Sequence, residues 1–240
     1  MKAIAIGVAA LVVGACQDTI SARDRGKQLL GLTGVSDSRA NIFECRDCHE
    51  IAPDGAGDRI FPGYSLVDSA YREAFWGGGE RTLLESMGFC RFVFMRGLPF
   101  DEDDENARAI LEYLLSISET DPAPALPLTV TLNIDEDRIT RGDPAEGEAL
   151  YDSACRHCHG APGARPPDRL AGDAKTIPST EAGWAELYDD PEFAGFSYGL
   201  IVTEKVRHGR FFGVSGIMPL FSLEALSDEQ LGAILAYLEI

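Results

Sequence analysis

The sequence predicts an all-α protein made of two tandem domains that share one plan. In each half, a short helical stretch precedes a Cys-x-x-Cys-His motif, and a Gly/Pro-rich middle then leads to a closing helix. Both closing helices place apolar residues at i, i+3, i+4 and i+7, which is typical of a helix with one buried face. Strand signals are weak except over residues 128–134, which we interpret as part of the connection between the halves.

Residues 1–15 are predicted to be a signal peptide of the lipoprotein type. A positive charge precedes the short apolar run Ala3–Val13, which is too short to span a bilayer stably. The sequence Val13-Gly14-Ala15-Cys16 resembles a bacterial lipobox, which implies cleavage before Cys16 and lipidation of its thiol. The alternative is an ordinary signal peptide in which Cys16 is incidental. We therefore expect an exported periplasmic lipoprotein, and Gln17 rather than Asp after the lipidated cysteine favours the outer membrane.

Domain boundaries follow from the proline pattern. Pro122, Pro124 and Pro127 alternate with other residues, which favours an extended, semi-rigid spacer. We predict a first domain over residues 16–120, a linker over residues 121–139 and a second domain over residues 140–240. Each domain is then of ordinary size for a small independent unit.

Helix-capping patterns support the helices of both domains. Asp143 and Pro144 predict the start of the helix that leads to the second motif, with Glu146 completing a capping box. Ser227 and Gln230 predict a second capping box at the start of the closing helix. The predicted buried faces of the closing helices are Ala107, Ile110, Leu111, Leu114 and Ile117 in the first domain, and Leu231, Ile234, Leu235 and Leu238 in the second.

Four of the six cysteines lie in two C-x-x-C-H motifs, Cys45-Arg46-Asp47-Cys48-His49 and Cys155-Arg156-His157-Cys158-His159. C-x-x-C-H is the attachment signature of c-type haem: the two thiols bond the haem covalently and the histidine reaches the iron. A thioredoxin-like dithiol needs a βαβ context that this sequence lacks, and a shared zinc site would need both pairs in one domain. The sequence therefore predicts two covalent haem c groups, attached through Cys45, Cys48, Cys155 and Cys158, with His49 and His159 as iron ligands.

The sixth iron ligand of the second domain is predicted to be Met218. The segment Lys205–Tyr237, with its "RHG" and "MPLF" sequences, resembles the bacterial class I cytochrome c family. The resemblance implies that the methionine of the Met-Pro pair is the distal ligand, which is Met218 here. His208 is the alternative ligand, although a histidine at this position is more often structural.

The sixth ligand of the first domain is Cys90 or Met95. The internal repeat nominates Met95, because it lies 18 residues before Tyr113 as Met218 lies 19 before Tyr237. However, Cys90–Gly97 resembles the C-x4-M-x-G segment of the thiosulfate dehydrogenase and SoxA-type cytochromes, which implies thiolate ligation by Cys90. Met87 is a remoter candidate, and a buried inert thiol is the alternative role of Cys90.

The first domain also departs from that family. Thiosulfate dehydrogenases typically place an arginine four residues before the cysteine and a serine four residues after it, where this chain has Ser86 and Phe94. Nearby arginines could form an anion pocket by another route or could simply be surface or propionate-pairing residues; they are Arg81, Arg91 and Arg96.

Electron transfer is the function that these patterns favour. The two haems would form a relay, and the net charge of −18 indicates redox protein partners with a basic docking surface rather than nucleic acid. The lipid on Cys16 would add a membrane anchor. A thiosulfate dehydrogenase-like enzyme acting at the first haem is the alternative, and a haem subunit of a larger dehydrogenase is a third interpretation.

Overall fold

The computed structural model describes residues 20–51, 57–170, 174–213 and 218–240. The predicted signal peptide and Cys16 lie outside these residues. Over the described ranges the regular structure is helical and no strand forms, which confirms the all-α prediction. The α-helices there are α1 Ala22–Leu29, α2 Cys45–Cys48, α3 Leu83–Val93, α4 Glu105–Ser116, α5 Pro144–Ala154, α6 Arg156–His159, α7 Glu181–Leu187, α8 Tyr198–His208 and α9 Asp228–Tyr237.

The same helix crossing organises both halves. Helix α1 packs on α4 in the first half, and α5 packs on α9 in the second. At each crossing a glycine lies directly against a carbonyl group: Gly26 against Ala109, and Gly147 against Ala233. A Cβ atom at either glycine would overlap that carbonyl, so the helices approach this closely only because glycine lacks a side chain.

Each crossing anchors its own apolar core. In the first half, Ile110, Leu114 and Ile117 of the closing segment pack with Leu30 and Val35. In the second half, the predicted face of α9 is buried as expected, through Leu231, Ile234, Leu235 and Leu238. Among the described residues, each half thus has an apolar core at its helix crossing, and the second half has a further, smaller cluster of Phe193, Ile201 and Phe211.

The predicted helix caps form with one difference. Ser227 and Gln230 exchange reciprocal hydrogen bonds at the start of α9, as a capping box requires. Asp143 caps α5 by accepting a hydrogen bond from the N–H of Ala145 at 2.8 Å. The predicted reciprocal contact from Glu146 is not part of this cap, so a single acceptor stabilises the start of α5.

The proline-containing segment between the halves is attached to both of them. The N–H of Ala123 donates to the carbonyl of Tyr71 at 2.9 Å in the first half. Farther along, the N–H and hydroxyl of Thr129 both donate to the carboxylate of Glu224 in the second half, at 2.9 and 2.6 Å. These contacts fix the segment along the seam between the two cores.

Within the described residues, no helix combines the length and apolar character needed to cross a bilayer.

Candidate haem-binding sites

The first attachment motif forms one turn of helix. Cys45 and Cys48 are the ends of α2, and the turn is closed by a capping box in which the N–H of Glu44 donates to Asp47 Oδ2 at 2.8 Å. His49 follows the helix with an extended backbone. Both thiols and the imidazole line the same cavity, as covalent haem attachment requires.

Both motif histidines are held in one tautomer by a backbone carbonyl. His49 Nδ1 donates to the carbonyl of Tyr64 at 2.7 Å, and His159 Nδ1 donates to that of Lys175 at 2.9 Å. Since a carbonyl can only accept, the Nε2 atom of each ring keeps its lone pair for a metal. Burial lowers the pKa of both histidines, which favours the neutral, ligating form.

A cavity of about 580 Å³ lies beside the first motif. Its volume is within the range of about 300–1,000 Å³ that small-molecule sites usually have. The wall is mostly apolar and is completed by the second half through Pro219, Leu220 and Ala225. The cavity is therefore formed by both halves of the chain.

The polar groups in this wall suit haem. Ser69 Oγ is buried in the wall and has no hydrogen-bond partner among the described residues. Arg59 and Arg72 also line the cavity and bring positive charge. An apolar cavity with a few cationic and hydroxyl donors fits a porphyrin ring with two propionates, so the residues present fit the group.

The sequence candidates for the sixth ligand of this site all line the cavity: Cys90, Met95 and Met87. Burial raises the pKa of Cys90 to about 11, so this thiol stays protonated unless a cation binds it. Cys90 in turn contributes to the raised pKa values of both attachment thiols of the first motif, which burial dominates. Cys90 and these two thiols line the same cavity.

Met95 has a different environment. Its side chain is 4% exposed and belongs to the apolar core of the first half, and its carbonyl accepts a hydrogen bond from Ser36 Oγ at 2.9 Å. Trp76 closes the cavity nearby and stacks on Phe94 with ring centroids 6.0 Å apart. Both Cys90 and Met95 thus remain within the same wall, with Met95 the more deeply packed.

None of the three arginines that the sequence suggests for an anion pocket lines the cavity. Arg91 is buried, lies 3.4 Å from Asp37 and 3.5 Å from Asp104, and covers the Phe100 ring. Its charge is therefore already compensated by two carboxylates. Arg81 and Arg96 are exposed, and they are not among the residues that line the cavity.

The second attachment motif follows the same local pattern. Cys155 is the C-terminal cap of α5 and packs against the core of the second half, and α6 carries the motif on to His159. Met218 packs against the same core, and its N–H donates to the carbonyl of Gly209 at 3.0 Å. Residues 214–217, which precede Met218, lie outside the described residues.

His208 is engaged at both ring nitrogens. Its Nδ1 atom lies 2.7 Å from Glu204 Oε2, and its Nε2 atom contacts the carbonyl of Thr131. Neither nitrogen is directed at the second attachment motif, so His208 has a structural role in this arrangement. Met218 is the sequence candidate that the structure leaves available.

Two residues that the sequence analysis did not single out complete the second site. Arg207 is 1% exposed and donates to the carbonyls of Phe221 and Leu226 at 3.1 and 2.7 Å, which ties the segment after Met218 to α8. Trp184 is 2% exposed, and its Nε1 has no partner among the described residues. Such an orphaned donor fits a haem propionate.

The two attachment motifs also meet each other. Asp47 Oδ1, from the first motif, lies 2.5 Å from Arg169 Nη2 and 3.6 Å from Nε2 of His157, which belongs to the second motif. Burial would raise the pKa of Asp47, but the nearby His157, the hydrogen bond from the Glu44 N–H and the Arg169 guanidinium lower it. Sequence patterns give no sign of this contact, because Asp47 occupies a variable position of its motif.

Comparison with known proteins places the second half in a cytochrome c family. Residues 142–238 match the family model of subunit III of the cbb3-type cytochrome c oxidase. Among solved structures, thiosulfate dehydrogenase (TsdBA) from Marichromatium purpuratum in its as-isolated form is similar, at 16% identity and a TM-score of 0.41. The match covers 90% of this chain and 45% of that one, so this chain spans less than half of its length. No curated protein sequence matches the chain.

The family match confirms a cytochrome c domain in the second half, as the resemblance of Lys205–Tyr237 implies. Within the matched residues, the C-x-x-C-H motif is Cys155–His159.

Proposed function

We propose that this chain is an exported dihaem cytochrome that relays electrons between a first haem, ligated by His49 and Cys90, and a second haem, ligated by His159 and Met218. The observation that carries the proposal is the pair of C-x-x-C-H motifs in which each histidine keeps Nε2 free by donating Nδ1–H to a backbone carbonyl. When bound, haem supplies one-electron chemistry at iron. The chain's own residues attach, orient and cover it.

Two features support unequal haem sites. Cys90 would present an anionic thiolate to the first iron, whereas Met218 would present a neutral thioether to the second. An anionic ligand stabilises the ferric state, and a methionine raises the potential. Electrons would therefore pass from the first site to the second.

Haem stoichiometry tests the proposal directly. We expect two haems per chain that stay with the denatured protein through acid–acetone extraction, because thioether bonds survive unfolding. Cys45→Ser with Cys48→Ser should leave one haem, and the matched pair Cys155→Ser with Cys158→Ser should leave the other. A single haem in the wild-type protein, or haem that extracts, would overturn the proposal.

A thiosulfate dehydrogenase-like activity at the first haem is the second candidate. The presence of Cys90 in the wall of a cavity that also holds Arg59 and Arg72 favours it. Against it, Ser86 and Phe94 occupy the positions where the family has its arginine and serine, and Arg91 already pairs with two carboxylates. Measuring tetrathionate formation from thiosulfate with the purified protein and an electron acceptor separates the two, and we expect little turnover.

The location and partners belong to the same proposal. Lipidation at Cys16 would anchor the protein at the periplasmic face of a membrane, and the acidic chain would dock redox proteins through a basic surface. Docking of this kind weakens as salt screens the charges, so association with a basic redox protein should slow with increasing ionic strength.

A further inference from the structure

One contact between the halves involves the two haem attachment motifs themselves. Asp47 lies between the two cysteines of the first motif, and its side chain is 2% exposed. Its Oδ1 atom meets Arg169 at 2.5 Å and His157, between the two cysteines of the second motif, at 3.6 Å. One carboxylate oxygen of the first motif thus contacts two cationic or protonatable groups of the second half.

Two hydrogen bonds to backbone carbonyls flank this cluster, one on each side. Arg169 Nη1 donates to the carbonyl of Ile42 at 3.0 Å, just before the first motif. The N–H of Ile60 donates to the carbonyl of Ser153 at 3.0 Å, just before the second motif. The contact therefore extends over the N-terminal approach to both motifs, with Asp47 at its buried centre.

The two carboxylate oxygens of Asp47 do different things. Oδ2 accepts the N–H of Glu44 and closes the capping box of α2, which is a local role in the first motif. Oδ1 points across to the second half. A buried carboxylate is costly unless it is paired, so the orientation of Oδ1 favours the arrangement in which both motifs are held together.

We propose that Asp47 is a positioning residue that fixes the distance between the two haem sites by pairing with Arg169 and His157. This inference rests on the proposed function, because it needs a haem at each motif. With haem bound at both motifs, this distance would control the passage of one electron from the reduced site to the oxidised one. No bond forms or breaks, and Asp47 neither gains nor loses a proton.

Arg169 offers the cleaner test, because its replacement leaves the α2 capping box intact. Arg169→Gln should slow electron transfer between the haems by about tenfold, since small displacements of reacting groups have large kinetic effects. The matched control is Arg165→Gln on the same segment, where Arg165 pairs with Asp168 at 3.4 Å and both side chains are largely exposed. This control should transfer electrons at the wild-type rate.

The experiment uses the full chain with both haems in place. Pulse radiolysis measures the inter-haem rate, redox titration gives both potentials, and X-ray scattering gives the separation of the halves. We expect Arg169→Gln to widen the separation and to slow transfer by more than any shift in the two potentials explains. Asp47→Asn, which keeps an oxygen for the cap, should do the same, and the double variant should be no slower than either single one.

An Arg169→Gln protein that transfers electrons at the wild-type rate would overturn the inference. So would a slowing that is explained by shifted potentials without any change in separation. If the wild-type protein carries only one haem, the proposed function fails instead, so the two failures are distinguishable.

Discussion

Gly147 of α5 lies directly against the carbonyl of Ala233 in α9, and Gly26 of α1 lies against the carbonyl of Ala109 in α4 in the same way. A tyrosine four residues after the contacted alanine also packs against each glycine: Tyr237 against Gly147, and Tyr113 against Gly26. The repeat in the chain is therefore a repeat of one helix crossing, and this crossing supports each attachment motif.

The first prediction concerns this crossing. Gly147→Ala should lower the free energy of unfolding by about 1–3 kcal/mol, because the added methyl group overlaps a backbone carbonyl that cannot move freely. Within an open helix the same change would stabilise by about 1 kcal/mol. Denaturant titration measures the effect, and Gly34→Ala is the control because nothing lies within 4 Å of its added methyl group. Equal stability of Gly147→Ala and wild type would contradict the close approach.

The second prediction concerns Met218. Met218→Ala should abolish the weak sulfur-to-iron absorption band of the oxidised protein and lower the potential of one haem, because a thioether ligand is lost. Optical spectra and redox titration check both effects. His208→Ala serves as the control, since both ring nitrogens of His208 already have partners. If His208→Ala removes the band and Met218→Ala does not, the ligand is His208.

The third prediction concerns Cys90. Cys90→Ala should raise the potential of the first haem or leave a high-spin iron, because an anionic ligand that stabilises the ferric state is removed. The Met218 haem should be unaffected. Electron paramagnetic resonance and redox titration distinguish the two haems. An unaltered first haem in Cys90→Ala, together with a changed one in Met95→Ala, would assign the ligand to Met95.

The fourth prediction follows from the lowered pKa of Asp47. Burial opposes ionisation, but His157, the Glu44 N–H and Arg169 bring the pKa below its ordinary value of 3.8. Ionised Asp47 therefore contributes its full share to the free energy of unfolding at pH values above 3.8. That contribution is lost as the pH falls through the lower pKa that Asp47 has in the folded protein. Asp47→Asn should be less stable than wild type at neutral pH, and the difference should shrink at pH values below 3.8. A difference that is independent of pH would contradict this linkage.

The fifth prediction concerns the membrane anchor. Wild-type protein should partition into detergent, and Cys16→Ser should be soluble or remain unprocessed. Each buried methylene of an acyl chain contributes about 0.8 kcal/mol, so several chains anchor the protein stably. Phase partitioning and the mass of the mature N-terminus check this. Freely soluble wild-type protein after normal export would refute lipidation.

The sequence alone predicts those features that depend only on residues close together in the chain. Haem attachment needs two thiols and a histidine at one short, fixed spacing, so C-x-x-C-H predicts both attachment sites without any knowledge of the rest of the fold. The apolar face of α9 and the Ser227 cap are also local patterns, and both form as predicted.

Only the tertiary structure decided the contacts between distant residues. Tyr64 and Lys175 supply the carbonyls that fix the two histidine tautomers, and any residue type could have done so. Asp47 and Arg169 are 122 residues apart and meet only because the two cores pack against each other. A backbone carbonyl or a single charged side chain carries no sequence signature of its partner, so these relationships arise from packing, whereas the predicted haem attachment depends only on the spacing of five residues.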